Sequence, residues 1–182
     1  MEPLFVDDLC LRPYESCDVP AFVEAVRDSH ISLGRWMSWY HADYSCVDAE
    51  TWFALASKNL RERTDCEVGI FTSDGATLLG GAGLNQFNRA HNFCNLGYWV
   101  RESRQGQGVA TRASRALAAF GFHELKLARI EIVVAQGNLP SQRVAQKVGA
   151  TFECVARNRL VIDGRSHAAA VYSLVPNGEF KD

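Results

Sequence analysis

The 182-residue sequence predicts a mixed α/β fold, a single sheet with helices on both faces. The periodic segments follow the order β-α-α-β-β-β-α-β-α-β-β. Asp74-Gly75 and Asp163-Gly164 are hairpin signals, which join antiparallel neighbours. The sequence shows no internal repeat and no low-complexity linker, and its length fits one domain over residues 1–182.

Capping residues predict where the first two helices begin. Asp18 precedes a helix that runs to about Asp28, and Asp48 precedes a second helix that runs to about Arg63. The segment 31–47 between them has little periodicity and many aromatic residues. Two later helices are predicted, one at 109–125 and a short one that follows Asn138–Ser141 and closes at Lys147–Ala150. The strands are predicted at 4–13, 66–72, 77–87, 93–100, 130–135, 151–162 and 166–175.

The most informative segment joins the strand that ends at Val100 to the helix that begins near Val109. Gly106 and Gly108 allow a tight turn and a close approach of the backbone to a ligand. The first N–H groups of the following helix have no partner within that helix. Together these features predict a cradle for a phosphate or a pyrophosphate.

Two common phosphate motifs do not match this segment. A Walker loop needs a Gly-Lys-Ser/Thr triplet, which the sequence lacks, and a dinucleotide fingerprint needs glycine where Thr111 stands. The pattern Q-x-x-G-x-A over Gln105–Ala110 does match a third motif. It resembles the acetyl-CoA pyrophosphate loop of the GNAT superfamily of N-acetyltransferases.

Other segments extend the resemblance to nearly the whole chain. The family's fourth strand is similar to Leu96–Val100. The family's N-x-x-S…K-x-G-F segment is similar to Asn138–Ser141 followed by Lys147–Ala150, except that Ala150 replaces the last phenylalanine. Leu11–Pro13 and Leu33–Trp39 resemble the RimJ/RimL-type ribosomal-protein N-acetyltransferases. The resemblance implies the GNAT fold, a mostly antiparallel sheet in which a splayed strand pair binds acetyl-CoA.

The resemblance also implies how acetyl-CoA, the co-substrate, is held. Pantetheine would bind the backbone groups of Tyr98 and Val100, and the N–H of Tyr98 would donate to the oxyanion. The amine would attack the thioester directly. The remaining residues implied in acetyl-CoA binding are Gln105, Gly106, Gln107, Gly108, Val109, Ala110, Thr111, Asn138 and Ser141.

Proton transfer is where the sequence departs from the family pattern. Ala145 stands where many GNAT proteins have the tyrosine that protonates the leaving thiolate, and the resemblance to RimL-like members implies Ser141 in that role. The alternative is that Ser141 forms hydrogen bonds with backbone groups in the first turn of a helix. Two positions that often carry a glutamate are Asn95 and Leu160. Asn95 marks the expected catalytic position but cannot take up a proton.

The missing glutamates favour a weakly basic acceptor. An α-amino group has a pKa of roughly 7.7–8, against about 10.4 for lysine, so a larger fraction of it is neutral near pH 7.5. This predicts transfer to a protein N-terminus, such as that of a ribosomal protein. His30, His41, His91 and Glu131 are alternative bases.

Aromatic residues after the first helix are candidates for acceptor binding. Trp36, Trp39 and Tyr40 lie where GNAT proteins place the lid over the acceptor, although core packing is the other interpretation. Two further functions stay open. One is acetylation of a small amine (an aminoacyl compound, a polyamine or an antibiotic), and the other is CoA binding without catalysis.

Composition excludes several classes of protein. The net charge of −2 argues against nucleic-acid binding, and no apolar run is long enough to span a bilayer. The six cysteines form no C-x-x-C pair, so neither a zinc site nor a disulfide framework is expected. Free thiols favour a cytoplasmic location. The resemblance to RimL-type proteins suggests a homodimer.

Overall fold

The computed structural model describes residues 1–176, so the C-terminal end of the predicted domain, residues 177–182, lies outside the described residues. The helices are α1 (Val19–Asp28), α2 (His30–Trp36), α3 (Cys46–Glu62), α4 (Val109–His123) and α5 (Leu139–Val148). The strands are β1 (Leu4–Val6), β2 (Leu9–Arg12), β3 (Cys66–Thr72), β4 (Leu78–Asn88), β5 (Phe93–Val100), β6 (Arg129–Ala135), β7 (Thr151–Ile162) and β8 (Arg165–Leu174).

The described strands form one eight-stranded sheet in the order β1-β2-β3-β4-β5-β6-β8-β7. Within it β5 and β6 are parallel, and each of the other neighbouring pairs is antiparallel. The predicted mixed, mostly antiparallel sheet is confirmed.

The parallel pair opens partway along its length. β5 and β6 pair only from Phe93 opposite Arg129 to Asn95 opposite Glu131. β5 continues to Val100 on the β4 side and β6 continues to Ala135 on the β8 side. The two strands therefore diverge after position 95. The gap between them, which we call the splay, leaves backbone groups of β5 without a neighbouring strand.

Helices cover both faces of the sheet, as predicted. Leu117 of α4 belongs to a buried cluster with Leu11 and Ile70 of the sheet, whereas Phe22 of α1 belongs to a second cluster. Adjacent residues of one strand, such as Ile70 and Phe71, point to opposite clusters because side chains alternate along a strand. Burial of apolar surface on both faces stabilises the layers.

Two predicted element boundaries were wrong. The predicted strand at 4–13 is two strands, because Asp7 has a φ of +50° and turns the chain into an antiparallel pair. α3 begins at Cys46 rather than after Asp48. Ser45 is its N-cap, and the Asp48 carboxylate accepts a hydrogen bond from the Ser45 N–H to complete a capping box.

Asp18 precedes α1 as predicted, but its carboxylate does not cap that helix. It accepts two hydrogen bonds from Arg12, both 2.8 Å long, and one from the Glu15 N–H. A buried carboxylate is more stable with a bidentate arginine than with helix N–H groups alone.

The short helix α2 was not predicted within the aromatic segment. It has seven residues and buries only Leu33, so the apolar periodicity that reveals longer helices is absent. The other predicted elements agree with the observed bounds to within about two residues.

Candidate active site

The glycine loop leads into α4 with no side chain at its N-cap. Gly106 and Gly108 have φ values of +75° and +77°, in the left-handed region that favours glycine, and Gly108 is the N-cap. A Cβ at either position would meet no heavy atom within 4 Å, so the loop is open on its outer side. The N–H groups of Val109, Ala110 and Thr111 receive no side-chain cap and are available to an anion.

Side chains hold this loop against the rest of the fold. Gln105 Nε2 donates to the carbonyl of Val100, 3.1 Å away, and Gln107 Nε2 donates to the carbonyl of Ser103. Just before the loop, the Glu102 carboxylate accepts a hydrogen bond from the N–H of Ser32 in α2. The loop therefore has a defined position between β5 and α2.

A cavity of about 280 Å³ lies beside the loop, and we call it the loop cavity. Gly106 and Gly108 line it together with three cationic side chains, Arg104, Arg143 and Lys147. None of the described residues that line it is acidic. The combination of free N–H groups, a helix N-terminus and three cations is suited to phosphate groups.

The backbone of β5 faces the splay at alternate residues. Just after β5, the Arg101 N–H donates to the carbonyl of Leu79 in β4. Because N–H and C=O groups alternate between the two edges of a strand, those of Tyr98 and Val100 face away from β4, into the splay. The Val100 carbonyl is already taken by Gln105, so the Val100 N–H is the group left for a ligand.

Tyr98 and Ser141 meet where the splay opens. The Tyr98 hydroxyl lies 2.9 Å from Ser141 Oγ and 3.0 Å from the Ser141 carbonyl oxygen. Burial raises the pKa of Tyr98 to about 12, so its hydroxyl stays protonated and can donate. Asn138 caps α5 through its Oδ1, which accepts from the Ser141 N–H at 3.2 Å. The Ser141 hydroxyl is therefore not used to cap the helix.

A second cavity, of about 590 Å³, has aromatic walls, and we call it the aromatic cavity. Trp39 packs edge-on against Trp99 and Tyr44, with ring centroids 6.2 and 5.9 Å apart. Trp36, Tyr98, Trp99, Asn138 and Ser141 line both cavities. The two cavities thus meet at the Tyr98–Ser141 pair.

The predicted acceptor residues divide between this cavity and the core. Trp36 and Trp39 line the aromatic cavity, whereas Tyr40 lies outside the lining and packs on Gly34. Trp52 of α3 and Trp99 of β5 also line the cavity, and neither was among the predicted acceptor residues.

The charged groups of the aromatic cavity are acidic. Asp48 and Glu67 line it together with His41, and no lysine or arginine is among its described lining residues. The Ser45 hydroxyl and N–H lower the pKa of Asp48, whose carboxylate lies 3.7 Å from His41 Nε2. This lining favours a cationic ligand over an anionic one.

Glu67 is the group that sequence reasoning missed. Its Oε1 accepts a hydrogen bond from Asn85 Nδ2 at 2.9 Å, and the Asn85 Oδ1 accepts one from Asn95 Nδ2 at 3.0 Å. Burial raises the pKa of Glu67, although the Asn85 hydrogen bond opposes the change. A charged residue within the apolar strand C-E-V-G-I-F was the signal that could have drawn attention to it.

A model of the acetyltransferase (GNAT) domain family matches residues 8–151. The chain belongs to the GNAT family. It is a GNAT N-acetyltransferase, and its relatives include proteins of the RimJ/RimL type.

Three known proteins are similar to this GNAT protein over most of its length. YdaF of Bacillus subtilis (strain 168), provisionally named a ribosomal N-acetyltransferase, is 28% identical over 93% of this chain and 92% of its own length. A Vibrio cholerae structure, provisionally named a ribosomal-protein-serine acetyltransferase, is 32% identical with a TM-score of 0.85, over 96% of this chain and 98% of that one. RimL, a ribosomal L7/L12 α-N-protein acetyltransferase solved with coenzyme A, is 22% identical with a TM-score of 0.88, over 96% and 98% of the two chains.

The proposed base positions of this GNAT protein lie in different surroundings. Leu160 lines the aromatic cavity, whereas Asn95 does not, and Asn95 Oδ1 is buried without a hydrogen-bond partner among residues 1–176. Glu131 is ion-paired with Arg129 and lies outside both cavities. His41 lines the aromatic cavity, and His30 and His91 do not.

Two features of other protein classes are absent from the described part of the chain. None of its helices is long and apolar enough to cross a membrane. Residues 1–176 also contain no group of three or more histidine, cysteine or acidic side chains placed to hold a metal ion.

Proposed function

We propose that this GNAT N-acetyltransferase moves the acetyl group of acetyl-CoA to the N-terminal α-amine of a protein, such as a ribosomal protein. One observation carries the proposal: the cation-lined loop cavity and the acidic aromatic cavity meet at Tyr98 and Ser141. A donor that carries phosphates and an acceptor that carries an amine are thereby directed to a shared point. The names given to YdaF and to the Vibrio cholerae protein support the acceptor class.

On the donor side, acetyl-CoA supplies the activated acetyl group as a thioester. The pyrophosphate would be bound by the N–H groups from Gln105 to Thr111, with Arg104, Arg143 and Lys147 as counter-charges. The pantetheine would lie in the splay and bind the backbone of Tyr98 and the Val100 N–H.

At the reaction centre, the Tyr98 N–H would stabilise the negative charge that develops on the acetyl oxygen. Ser141 would donate its proton toward the departing sulfur. The Tyr98 hydroxyl, which can donate to Ser141 Oγ, would hold the Ser141 proton outward. In this arrangement the Tyr98 side chain is a positioning residue, and Ser141 takes the role of the family tyrosine that Ala145 replaces.

On the acceptor side, the rings of Trp36, Trp39 and Trp52 would hold the apolar part of the N-terminal residue. Asp48 and Glu67 would attract the ammonium group. A free carboxylate or a phosphate would find no lysine or arginine in this described lining, so the first residue of a longer polypeptide fits better than an aminoacyl phosphate.

A polyamine is the second candidate acceptor. The two carboxylates and the absence of lysine and arginine in the described lining suit a molecule with several ammonium groups. Such an acceptor would use the same reaction centre and the same acetyl-CoA site.

Product analysis separates these candidates. The purified protein is incubated with acetyl-CoA and a set of peptides that differ in their first residue, and the products are identified by intact mass and fragmentation. We expect acetylation at the α-amine only, and none of the same peptides with a blocked N-terminus. Acetylation of spermidine with no peptide product would refute the protein N-terminus and support the polyamine.

A further inference from the structure

Two glycines make room for the Glu67 side chain on the sheet. Glu67 on β3 pairs directly with Gly83 on β4, and Gly83 pairs with Gly97 on β5. Directly paired residues share one face of the sheet, so the two positions beside Glu67 carry no side chain. A Cβ on Gly83 would lie 2.0 Å from Glu67 Oε2 and 2.6 Å from Oε1. The Glu67 carboxylate therefore lies flat over β4, beside the strand that carries Tyr98.

An amide chain connects this carboxylate to the position where the GNAT resemblance predicts a glutamate. Asn85 and Asn95 pair with each other, two residues from Gly83 and Gly97, and so lie on the same face as Glu67. Asn95 donates to Asn85, which donates to Glu67 Oε1. Glu67 Oε2 receives no hydrogen bond from the described residues, and Glu67 lines the aromatic cavity.

We infer that Glu67 is the general base of this acetyl transfer, which takes a proton from the acceptor amine in the aromatic cavity. The inference rests on the proposed transfer to an amine, and it holds for an α-amine or for a polyamine. The resemblance predicts this carboxylate at position 95 on β5, where Asn95 stands. Glu67 supplies it here from β3, across Gly83 and Gly97.

The transfer releases one proton for each amine that is acetylated. Glu67 takes one proton from the ammonium form of the acceptor, and the freed lone pair forms the N–C bond while the C–S bond breaks. The sulfur keeps the electron pair of that bond and receives a proton by way of Ser141, and the second nitrogen-bound proton replaces the one that Ser141 gave. Glu67 returns its own proton to solvent, so one acetylated amine, one free thiol and one proton result.

The buried surroundings of Glu67 strengthen its carboxylate as a base. Its raised pKa makes its carboxylate a stronger base than an exposed glutamate. Burial raises the pKa of Cys66 to about 12 and raises that of Tyr14, so both stay neutral in the assay range. The titratable groups near Glu67 on its own face of the sheet are Tyr14, His41, Asp48 and Asp65, and Cys66 is its neighbour in the chain on the opposite face.

The pH profile of kcat/KM tests the inference directly. If Glu67 takes the proton from the bound ammonium, the acidic limb follows the pKa of Glu67 and not the pKa of the acceptor amine, which is about 8 for an α-amine. If the amine loses its proton to solvent instead, the acidic limb lies at the amine's own pKa. Acceptors of different basicity should therefore leave the acidic limb of the wild-type profile in place.

Glu67→Gln is the matched variant, because the amide keeps the size of the side chain and an oxygen for Asn85. We expect kcat/KM to fall about 100-fold to 10,000-fold, with the Kd of acetyl-CoA unchanged. The residual activity should show one acidic limb at the amine's pKa. Glu131→Gln is the control, since Glu131 is a partly buried carboxylate outside both cavities, and its profile should match the wild type.

The results separate this inference from the proposed function. A Glu67→Gln variant within threefold of the wild-type rate, or a wild-type acidic limb that moves with acceptor basicity, would overturn the role of Glu67. If the wild type acetylates spermidine but no peptide, the protein N-terminus fails as acceptor, and the same comparison on spermidine still decides the role of Glu67. If neither amine is acetylated, both proposals are refuted.

Discussion

Replacement of Gly108 by aspartate and by asparagine tests the pyrophosphate cradle. Both side chains have the same size, and a Cβ at this position would meet no heavy atom within 4 Å, so neither causes a clash. The φ of +77° costs each variant about 1–2 kcal/mol at most, and less for these residues, which tolerate the left-handed region. The backbone cost cancels when the two variants are compared, and only the charge differs.

The size of the charge effect follows from the distance. A carboxylate on Gly108 would lie roughly 5 Å from a bound phosphate, and at an effective dielectric constant of about 20 the repulsion is about 3 kcal/mol per unit charge. Screening at physiological salt lowers this to about 2 kcal/mol, which is roughly a 30-fold weaker Kd. We therefore expect Gly108→Asp to bind acetyl-CoA roughly 30-fold more weakly than Gly108→Asn.

Calorimetric titration with acetyl-CoA measures this difference, and pantetheine without the pyrophosphate is the control ligand. The gap between the two variants should shrink in high salt and should vanish for pantetheine. Equal affinity of the two variants for acetyl-CoA, or an equal gap for pantetheine, would refute the assignment of the pyrophosphate to this loop.

Three further predictions concern the reaction centre, the acceptor wall and stability. Ser141→Ala should lower kcat about 10-fold to 1,000-fold and leave the KM for acetyl-CoA nearly unchanged, because the hydrogen bond strengthens as charge develops on sulfur; an unchanged kcat would leave Ser141 with a structural role only. Trp39→Ala should raise the KM for the acceptor roughly tenfold, because the lost aromatic contact is worth about 1.4 kcal/mol. An equal rise in the KM for acetyl-CoA would contradict the place of Trp39 on the acceptor side. Glu67→Gln should raise the melting temperature at pH 7.5 but change it little at pH 4. The pKa of Glu67 in the folded protein lies above its usual 4.5, so the folded state becomes less stable as the pH rises above 4.5 and Glu67 ionises. The loss is about 1.4 kcal/mol for each unit by which the pKa is raised. A lower melting temperature of the variant than of the wild type at pH 7.5 would contradict this.

The sequence by itself determined the features that depend on neighbours in the chain. Gly106 and Gly108 before an apolar helix predicted the loop, because a left-handed turn needs glycine whatever surrounds it. The hairpins at Asp74-Gly75 and Asp163-Gly164 followed from turn chemistry in the same way. Periodicity placed most of the strands and the longer helices, but it gave no signal for α2, which buries a single residue.

Only the tertiary structure decided which distant side chains share a site. The contact of Tyr98 with Ser141 spans 43 positions and depends on how β5 and α5 pack at the splay. Glu67 was missed because the role that we infer for it depends on the register of three strands, which places two glycines beside it. A local pattern records the conformation that each residue prefers, whereas a cross-strand contact depends on a pairing that the hydrophobic core selects for the whole sheet at once.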